Sequence, residues 1–485
     1  MPVVRNTILN FFGALIPLTV TLSTIPLYLK AIGPERYGVM ALWWLALNYA
    51  VLFDCGFGRA LAQRIGRLGS DASQQKANLL IVAFTFAMPI GVFGGLILSW
   101  VIRSYFAHVA ILSPAVAAEI PGAMPMVLLS VPLVLALSLC RGFLQGNQSF
   151  WSLNILTVAT STMVQIIPLV TALQFGDSVV GLTTALTIAF AIAALFGLLL
   201  CMPNCRLRGE RAQFLASFFS LFNFGKWVTV SATVGPLMVI ADRFALAAFV
   251  STAAAGLYAI PFQVAQRLTL FPAALTNALF PKIAGIASAS ARETSARAEY
   301  LLAWALSPVF VLLIVGVHPF LDLWLGQESS NLLRYVGEVL LLAFWFNSLA
   351  YISNNHITAI GAPRTVALVH LLELPIYSIA LLFALPRFGI LGAAVVFLAR
   401  TLVDYMILRY FADFNSQGLL RLLLISVPLV VLTLATTAFA DILEKRLSIL
   451  PITVMFTVFW NSILVPSSER QYFLRILKRL SVRAK

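Results

Sequence analysis

The feature that most constrains this chain is the recurrence of apolar runs of about twenty residues, separated by short gaps that hold most of the charge. Apolar residues make up 61% of the 485 positions and charged residues 10%. A soluble domain carries about 25% charge, and a globule of this size has too much surface to hide so much apolar side chain. Lipid is the solvent that fits. A window matched to the bilayer places spans near 7–29, 38–58, 78–102, 122–140, 154–175, 180–202, 226–248, 256–280, 300–325, 335–359, 366–386, 391–411, 422–440 and 449–466. The expected fold class is an all-α polytopic membrane protein of about fourteen transmembrane helices.

Lys and Arg outnumber Asp and Glu by 32 to 18. In a soluble chain such an excess points to nucleic acid. Here the basic residues lie mainly in the gaps, where they set topology, and no nucleic-acid partner is expected. With the N-terminus inside, 22 Lys and Arg fall on the inner side and 8 on the outer, leaving Arg267 and Arg400 within spans. This predicts an even number of spans with both termini cytoplasmic in a plasma (bacterial inner) membrane. The apolar stretch from Arg5 to Leu29 is too long for a signal peptide, lacks a small-residue cleavage site, and reads as an uncleaved first span. Cys55, Cys140, Cys201 and Cys205 sit in or beside apolar segments without histidine partners, so neither zinc nor disulfides are expected. The tail 469–485 mixes six basic residues with Tyr472, Phe473, Ile476, Leu477 and Leu480. It reads either as a helix lying on anionic lipid or as a docking site for a partner enzyme.

The two halves echo each other. Asn10-Phe11-Phe12-Gly13 recurs as Asn223-Phe224-Gly225, offset by 213 at the Asn and 212 at the Gly. Phe175-Gly176 recurs as Phe388-Gly389 at 213, and Gly146 matches Gly361 at 215. These matches predict a duplicated six-helix unit, parallel about an axis normal to the membrane. The expected domains are a lobe at 1–212, a lobe at 213–415, two additional helices at 416–468 and the basic tail at 469–485. Duplicated membrane bundles bind their cargo between halves, at interrupted helices in matching positions. Helix 1 (Pro17, Pro26, Thr19, Thr21, Ser23, Thr24) and helix 7 (Thr229, Ser231, Thr233, Gly235, Pro236) qualify, either as cavity-lining segments or as kinks satisfied by those hydroxyls.

Asn10-Phe-Phe-Gly13, Pro26-Leu-Tyr-Leu-Lys30-Ala-Ile-Gly33-Pro-Glu-Arg-Tyr37-Gly38 and Leu52-Phe-Asp54-Cys-Gly56-Phe-Gly-Arg59-Ala-Leu-Ala-Gln-Arg64 resemble polysaccharide-type (Wzx-like) lipid-linked oligosaccharide flippases. That family lies within the multidrug/oligosaccharidyl-lipid/polysaccharide exporter superfamily. The likeness is strongest over 6–68 and continues around 225–284 (Asp242, Ala255-Gly256-Leu257-Tyr258) and at Gly361-Ala-Pro363-Arg364. The resemblance implies two six-helix lobes around a central lumen, alternating access, and a cargo of sugars on an undecaprenyl pyrophosphate carrier. Its products would be O-antigen, capsule or exopolysaccharide.

Such a cargo requires fixed cations in a wet lumen, and charge inside a span costs at least about 2.5–3.5 kcal/mol per group. Arg267, near the middle of helix 8, is expected either to grip pyrophosphate or to pair across helices with Asp242 or Asp54. Arg400 and Asp404, four apart on one face of helix 12, either neutralise each other or open when cargo takes the arginine. Asp242 and Arg243 are successive residues and are expected to point apart, with Arg243 at the outer mouth as a ligand or snorkelling to the interface. Arg59, with Arg64 and Lys226, lies at an inner end, as a topology residue or an entry gate. Asp54, Asp242, Glu373 and Asp404 are candidates for H⁺ or Na⁺ coupling, Glu373 having His370 three residues before it on the same face.

No Ser-His-acid spacing, Walker loop or Gly-x-Gly-x-x-Gly follows the topology, and no soluble segment is long enough for a nucleotide domain. The expectation is a transporter, not an enzyme, without organic cofactor, driven by an ion gradient or by the cargo's own gradient. Its expected partners are the lipid-linked glycan, the bilayer, and a polysaccharide polymerase or glycosyltransferases of the same pathway. The competing readings are a multidrug or peptidoglycan-precursor exporter of the same superfamily, and a membrane-bound glycosyltransferase or polymerase. The last needs catalytic acids or arginines in a large outer loop, whereas the longest outer loop expected here, Arg103 to Pro121, has only Glu119.

Overall fold

A computed structural model describes residues 2–50, 53, 56–66, 68, 72–202, 238, 240–438 and 446–465. The described residues are nearly all helical and contain no strand. In chain order the helices are α1 (Pro2–Tyr49), α2 (Phe57–Gly66), α3 (Ser73–His108), α4 (Pro114–Gly146), α5 (Phe150–Phe175) and α6 (Val179–Cys201). There follow α7 (described over 240–249), α8 (Thr252–Gln266), a 3₁₀ turn (Arg267–Thr269), α9 (Leu270–Ala284) and α10 (Ser288–Leu325). The series closes with α11 (Gln327–Ala359), α12 (Pro363–Phe411), α13 (Ser416–Ala438) and α14 (Arg446–Leu464).

Nine helices among the described residues are long and apolar enough to cross a membrane. The difference from fourteen expected spans has identifiable causes. Most of expected span 7 lies outside the described residues, span 8 is broken at Arg267, and α14 contributes only a short apolar segment, Leu450–Leu464. Two other helices each combine two expected spans. At 48 and 49 residues, α1 and α12 would run about 70 Å if straight, against a hydrocarbon core of about 30 Å. Each breaks at a glycine with positive φ: Gly33 (φ 72°, ψ 169°), followed by Pro34, and Gly389 (φ 54°, ψ −133°). Only glycine takes such angles without strain. Tyr37, which falls in the expected gap between spans, is helical and buried, as is Gly38. The expected outer loop Arg103–Pro121 contracts to 109–113, because α3 and α4 extend beyond the hydrophobic windows at their polar ends.

The duplication appears in the element boundaries. α4 and α11 begin and end 213 residues apart, and α5 and the first arm of α12 begin 213 apart. Gly176, which ends α5, and Gly389, between the arms of α12, keep that offset and both have positive φ. The sequence match of Gly146 to Gly361 is corrected by this register. Gly361 (φ 89°) corresponds to Gln148 (φ 56°), the two residues that turn the chain after α4 and α11.

The chain divides into two compact units, Met1–Leu257 and Tyr258–Lys485. The division falls later than the expected lobe boundary at 212/213, since α7 packs in the first unit. Ile111 donates its N–H to Ala247 (2.8 Å) and accepts one from Thr252 (3.1 Å), while the Tyr105 hydroxyl donates to the Phe244 carbonyl (2.5 Å).

In the first unit Phe57, Leu61, Leu139, Phe143 and Leu156 share one core, and α2 crosses α4 at nearly backbone contact. A Cβ at Gly142 would lie 2.1 Å from the Gly58 carbonyl oxygen. Gly142→Val should therefore destabilise the protein by about 1–3 kcal/mol, seen as a lower melting temperature of the purified chain. Gly316→Ala is the matched control, because a Cβ there meets nothing within 4 Å.

In the second unit Phe262, Phe344 and Phe397 pack with centroids 5.1–5.5 Å apart. The terminal helices are docked by buried polar contacts. Trp345 Nε1 donates to Ser426 Oγ (2.8 Å), Thr436 Oγ1 to Glu338 (2.9 Å), and Asn461 Nδ2 to Ser307 Oγ.

Candidate functional site

The positive-φ turn at Gly389 folds the second arm of α12 back beside the first. His370 and Glu373 lie on the first arm, Arg400 and Asp404 on the second. Arg400 Nε stands 3.7 Å from Glu373 Oε2, and His370 Nε2 stands 3.4 Å from Asp404 Oδ1. Two same-helix pairs expected from the sequence are thus joined into one cross-arm cluster. Glu373 is 6% exposed and Asp404 4%. Neither Glu373 oxygen has a hydrogen-bond partner among the described residues, and the 3.7 Å contact is an ion pair without a hydrogen bond. The Arg400 guanidinium lies 5.6 Å from the Tyr377 ring centroid and 6.0 Å from that of Phe397, within cation–π range. The corresponding helices of the first unit, α5 and α6, contain no charged residue, and Thr157 and Thr160 stand where His370 and Glu373 do. The same scaffold therefore closes with neutral groups, and the charges are an addition specific to the second unit.

Arg267 opens the 3₁₀ turn between α8 and α9 and is exposed. The expected continuous helix is interrupted there, and Arg267 takes part in none of the ion pairs among the described residues of its unit. Its predicted alternative partners are accounted for differently: Asp242 is engaged by Arg243, and Asp54 lies outside the described residues.

The expectation that Asp242 and Arg243 point apart is overturned. Asp242 Oδ1 accepts the Arg243 backbone N–H at 2.8 Å, and the guanidinium folds back to 3.5 Å from the same oxygen. The long arginine side chain spans an angle that a short one would not. At 0% and 5% exposure both residues are buried, so Arg243 does not snorkel. Arg59 and Arg64 lie on the exposed face of α2. Lys226, the helix 7 hydroxyls and the basic tail lie outside the described residues, as do the side chains of the Asn10–Gly13 motif.

Two networks escaped the sequence reading. Arg409, at the inner end of the expected span 391–411, is 2% exposed near the end of α12 and pairs with Glu299 Oε2 on α10. Tyr405 donates to Glu299 Oε1 (2.9 Å), completing the carboxylate. The signal was the Tyr405/Arg409 spacing of four on a helix whose apolar window ends near that point. At the other network Arg36 bridges Glu119 (2.7 Å) and Asp177 (2.9 Å), while Glu119 Oε2 accepts the Val179 N–H at the start of α6. Glu119 is therefore a tie between helices, which removes the one acid considered for outer-loop catalysis from a free position.

The described helices are those of a multi-pass membrane protein with a charged cluster held between the two arms of α12. The chain belongs to the polysaccharide biosynthesis protein family, whose profile matches residues 3–287. It is 26% identical to a Shigella flexneri protein provisionally named an O-antigen transporter, over 84% of this chain and 97% of that one. Its fold is similar to that of a structure titled lipid II flippase MurJ, inward closed conformation (TM-score 0.68, 13% identity, 98% and 99% of the two chains). It is also similar to an inward-facing multidrug resistance MATE family transporter of the MOP superfamily (0.63, 12% identity, 82% and 97%). A MOP superfamily transporter from Pyrococcus furiosus shares the fold at 0.58, with 14% identity over 84% and 94%.

Proposed function

We propose that this protein is a flippase that moves undecaprenyl-pyrophosphate-linked oligosaccharide across the bacterial inner membrane by alternating access, for O-antigen, capsule or exopolysaccharide synthesis. Both termini face the cytoplasm in this reading, and polymerase or glycosyltransferases of the pathway are its working partners. The observation that carries it is the match to the O-antigen transporter relative along nearly that protein's whole length. The polysaccharide biosynthesis family supports the same cargo class. Peptidoglycan-precursor and multidrug exporters share the fold, so the fold alone does not choose among these cargoes.

Arg267 and Arg400 are the proposed cargo ligands. An exposed arginine at a break in a helix offers a planar fork to phosphate oxygens where backbone groups are also freed. Asp242, Glu373 and Asp404 are the proposed candidates for coupling to H⁺ or Na⁺ among the described carboxylates. In cells lacking the chromosomal copy, Arg267→Ala or Arg400→Ala should leave the glycolipid on the inner leaflet and reduce surface polymer by tenfold or more, about 1.4 kcal/mol or above in rate terms. Normal surface polymer with both variants would sink the site assignment, and normal polymer in the deletion strain itself would sink the function.

A further inference from the structure

The α12 cluster has an unbalanced charge count. Two carboxylates, Glu373 and Asp404, share one guanidinium, Arg400, and one imidazole, His370. With the imidazole neutral, one negative charge is in excess. Glu373 is buried and neither of its oxygens meets a hydrogen-bond donor among the described residues. The charged groups acting on it are Asp404, Arg400 and His370, all on α12. Among the described residues α11, which packs along α12, contributes no charge to that set. The Tyr377 ring lies beneath Arg400, 5.6 Å from its guanidinium. An excess charge within a span is costly, and a proton is the smallest species that removes it. The first unit's α5 and α6 carry no charged residue, so the packing of such a helix pair does not require these charges.

We propose that this cluster takes up one proton from solvent and that this uptake frees Arg400 to bind a phosphate group. The proton goes to the carboxylate pair, no covalent bond is broken, and the Arg400–Glu373 attraction is lost. The released guanidinium then donates N–H hydrogen bonds to two phosphate oxygens of a diphosphate headgroup in place of the carboxylate. Proton and anion binding are therefore mutually strengthening, since each favours the state in which Arg400 has left Glu373. The identity of the anion as cargo rests on the flippase reading; the linkage itself does not.

The test is binding of inorganic pyrophosphate to the purified full chain in lipid nanodiscs, by calorimetry between about pH 6 and pH 8, where imidazole and buried carboxylates change charge. Pyrophosphate's own ionisation is common to every variant, so the comparison is with Glu373→Gln at each pH. Glu373→Gln should bind about tenfold more tightly than wild type at the upper pH, a typical coupling magnitude, and the two should converge at the lower. Asp404→Asn, which removes the same charge, should shift binding in the same direction. Arg400→Gln should bind weakly throughout. Equal affinity of wild type and Glu373→Gln at the upper pH overturns the proposal, as does wild-type binding by Arg400→Gln. Sodium that reproduces the effect of acid at constant ionic strength also overturns it, in favour of a metal-cation site. The predicted binding pattern combined with normal surface polymer in a deletion strain would leave this site standing and remove the flippase reading.

Discussion

Replacing Arg409 with leucine is expected to lower the stability of the folded protein by about 3–5 kcal/mol, the usual cost of stranding one member of a buried ion pair. Glu299 is fully buried, and its two oxygens are held by Arg409 and by the Tyr405 hydroxyl. Arg409 also donates from Nη2 to the Asn415 carbonyl (3.3 Å) and lies 5.3 Å from the Phe414 ring. Leucine removes the cation and leaves a carboxylate with one neutral donor in an apolar surround. The double variant Glu299→Leu/Arg409→Leu should recover most of the loss. Its rationale is that apolar residues of similar size in place of both members leave no charge stranded in the interior. Thermal unfolding of the purified chain, followed by tryptophan fluorescence, reads both effects. A single variant that melts with the wild type would mean the pair holds nothing together. A double variant as unstable as the single would mean the second unit cannot close with apolar groups here.

The class of fold was legible because lipid imposes a coarse rule, and a twenty-residue apolar window detects it without knowledge of contacts. Helix ends were less legible. The polar residues Ser73 to Lys76 and Arg103 continue α3 beyond its apolar stretch, so hydropathy located hydrocarbon and not helix. Arg141 falls just past the expected span 122–140 for the same reason, and it is helical. The turn at Gly389 was visible as a repeated Phe-Gly pair, although the sequence did not distinguish a loop from one long helix broken at a glycine. Glu373, Arg400 and Asp404 stood out, with their same-helix neighbours, because charge is rare in spans. Their partners did not, because which residue of one arm meets which of the other depends on the geometry of that turn. The Asp242–Arg243 contact was missed by treating Cβ direction as the reach of the whole side chain.

Stability and transport should separate at the Arg400–Glu373 pair. Arg400→Gln alone leaves Glu373 and Asp404 as two carboxylates beside one imidazole, and both are nearly excluded from solvent. That variant is expected to lose surface polymer and also to melt at a lower temperature. The double variant Glu373→Gln/Arg400→Gln removes one charge of each sign, keeps the side-chain volumes close to native, and leaves the His370–Asp404 contact in place. Amides at 373 and 400 are able to hydrogen-bond each other across the arms, so the melting temperature should return toward the wild-type value. Polymer export should not return, since neither amide carries the fixed positive charge that a diphosphate headgroup requires. Export by a deletion strain complemented with the double variant, set beside the melting temperature of the same protein, decides between two roles. Recovery of both would make the pair a structural brace. Recovery of stability without export would place Arg400 on the path of the cargo.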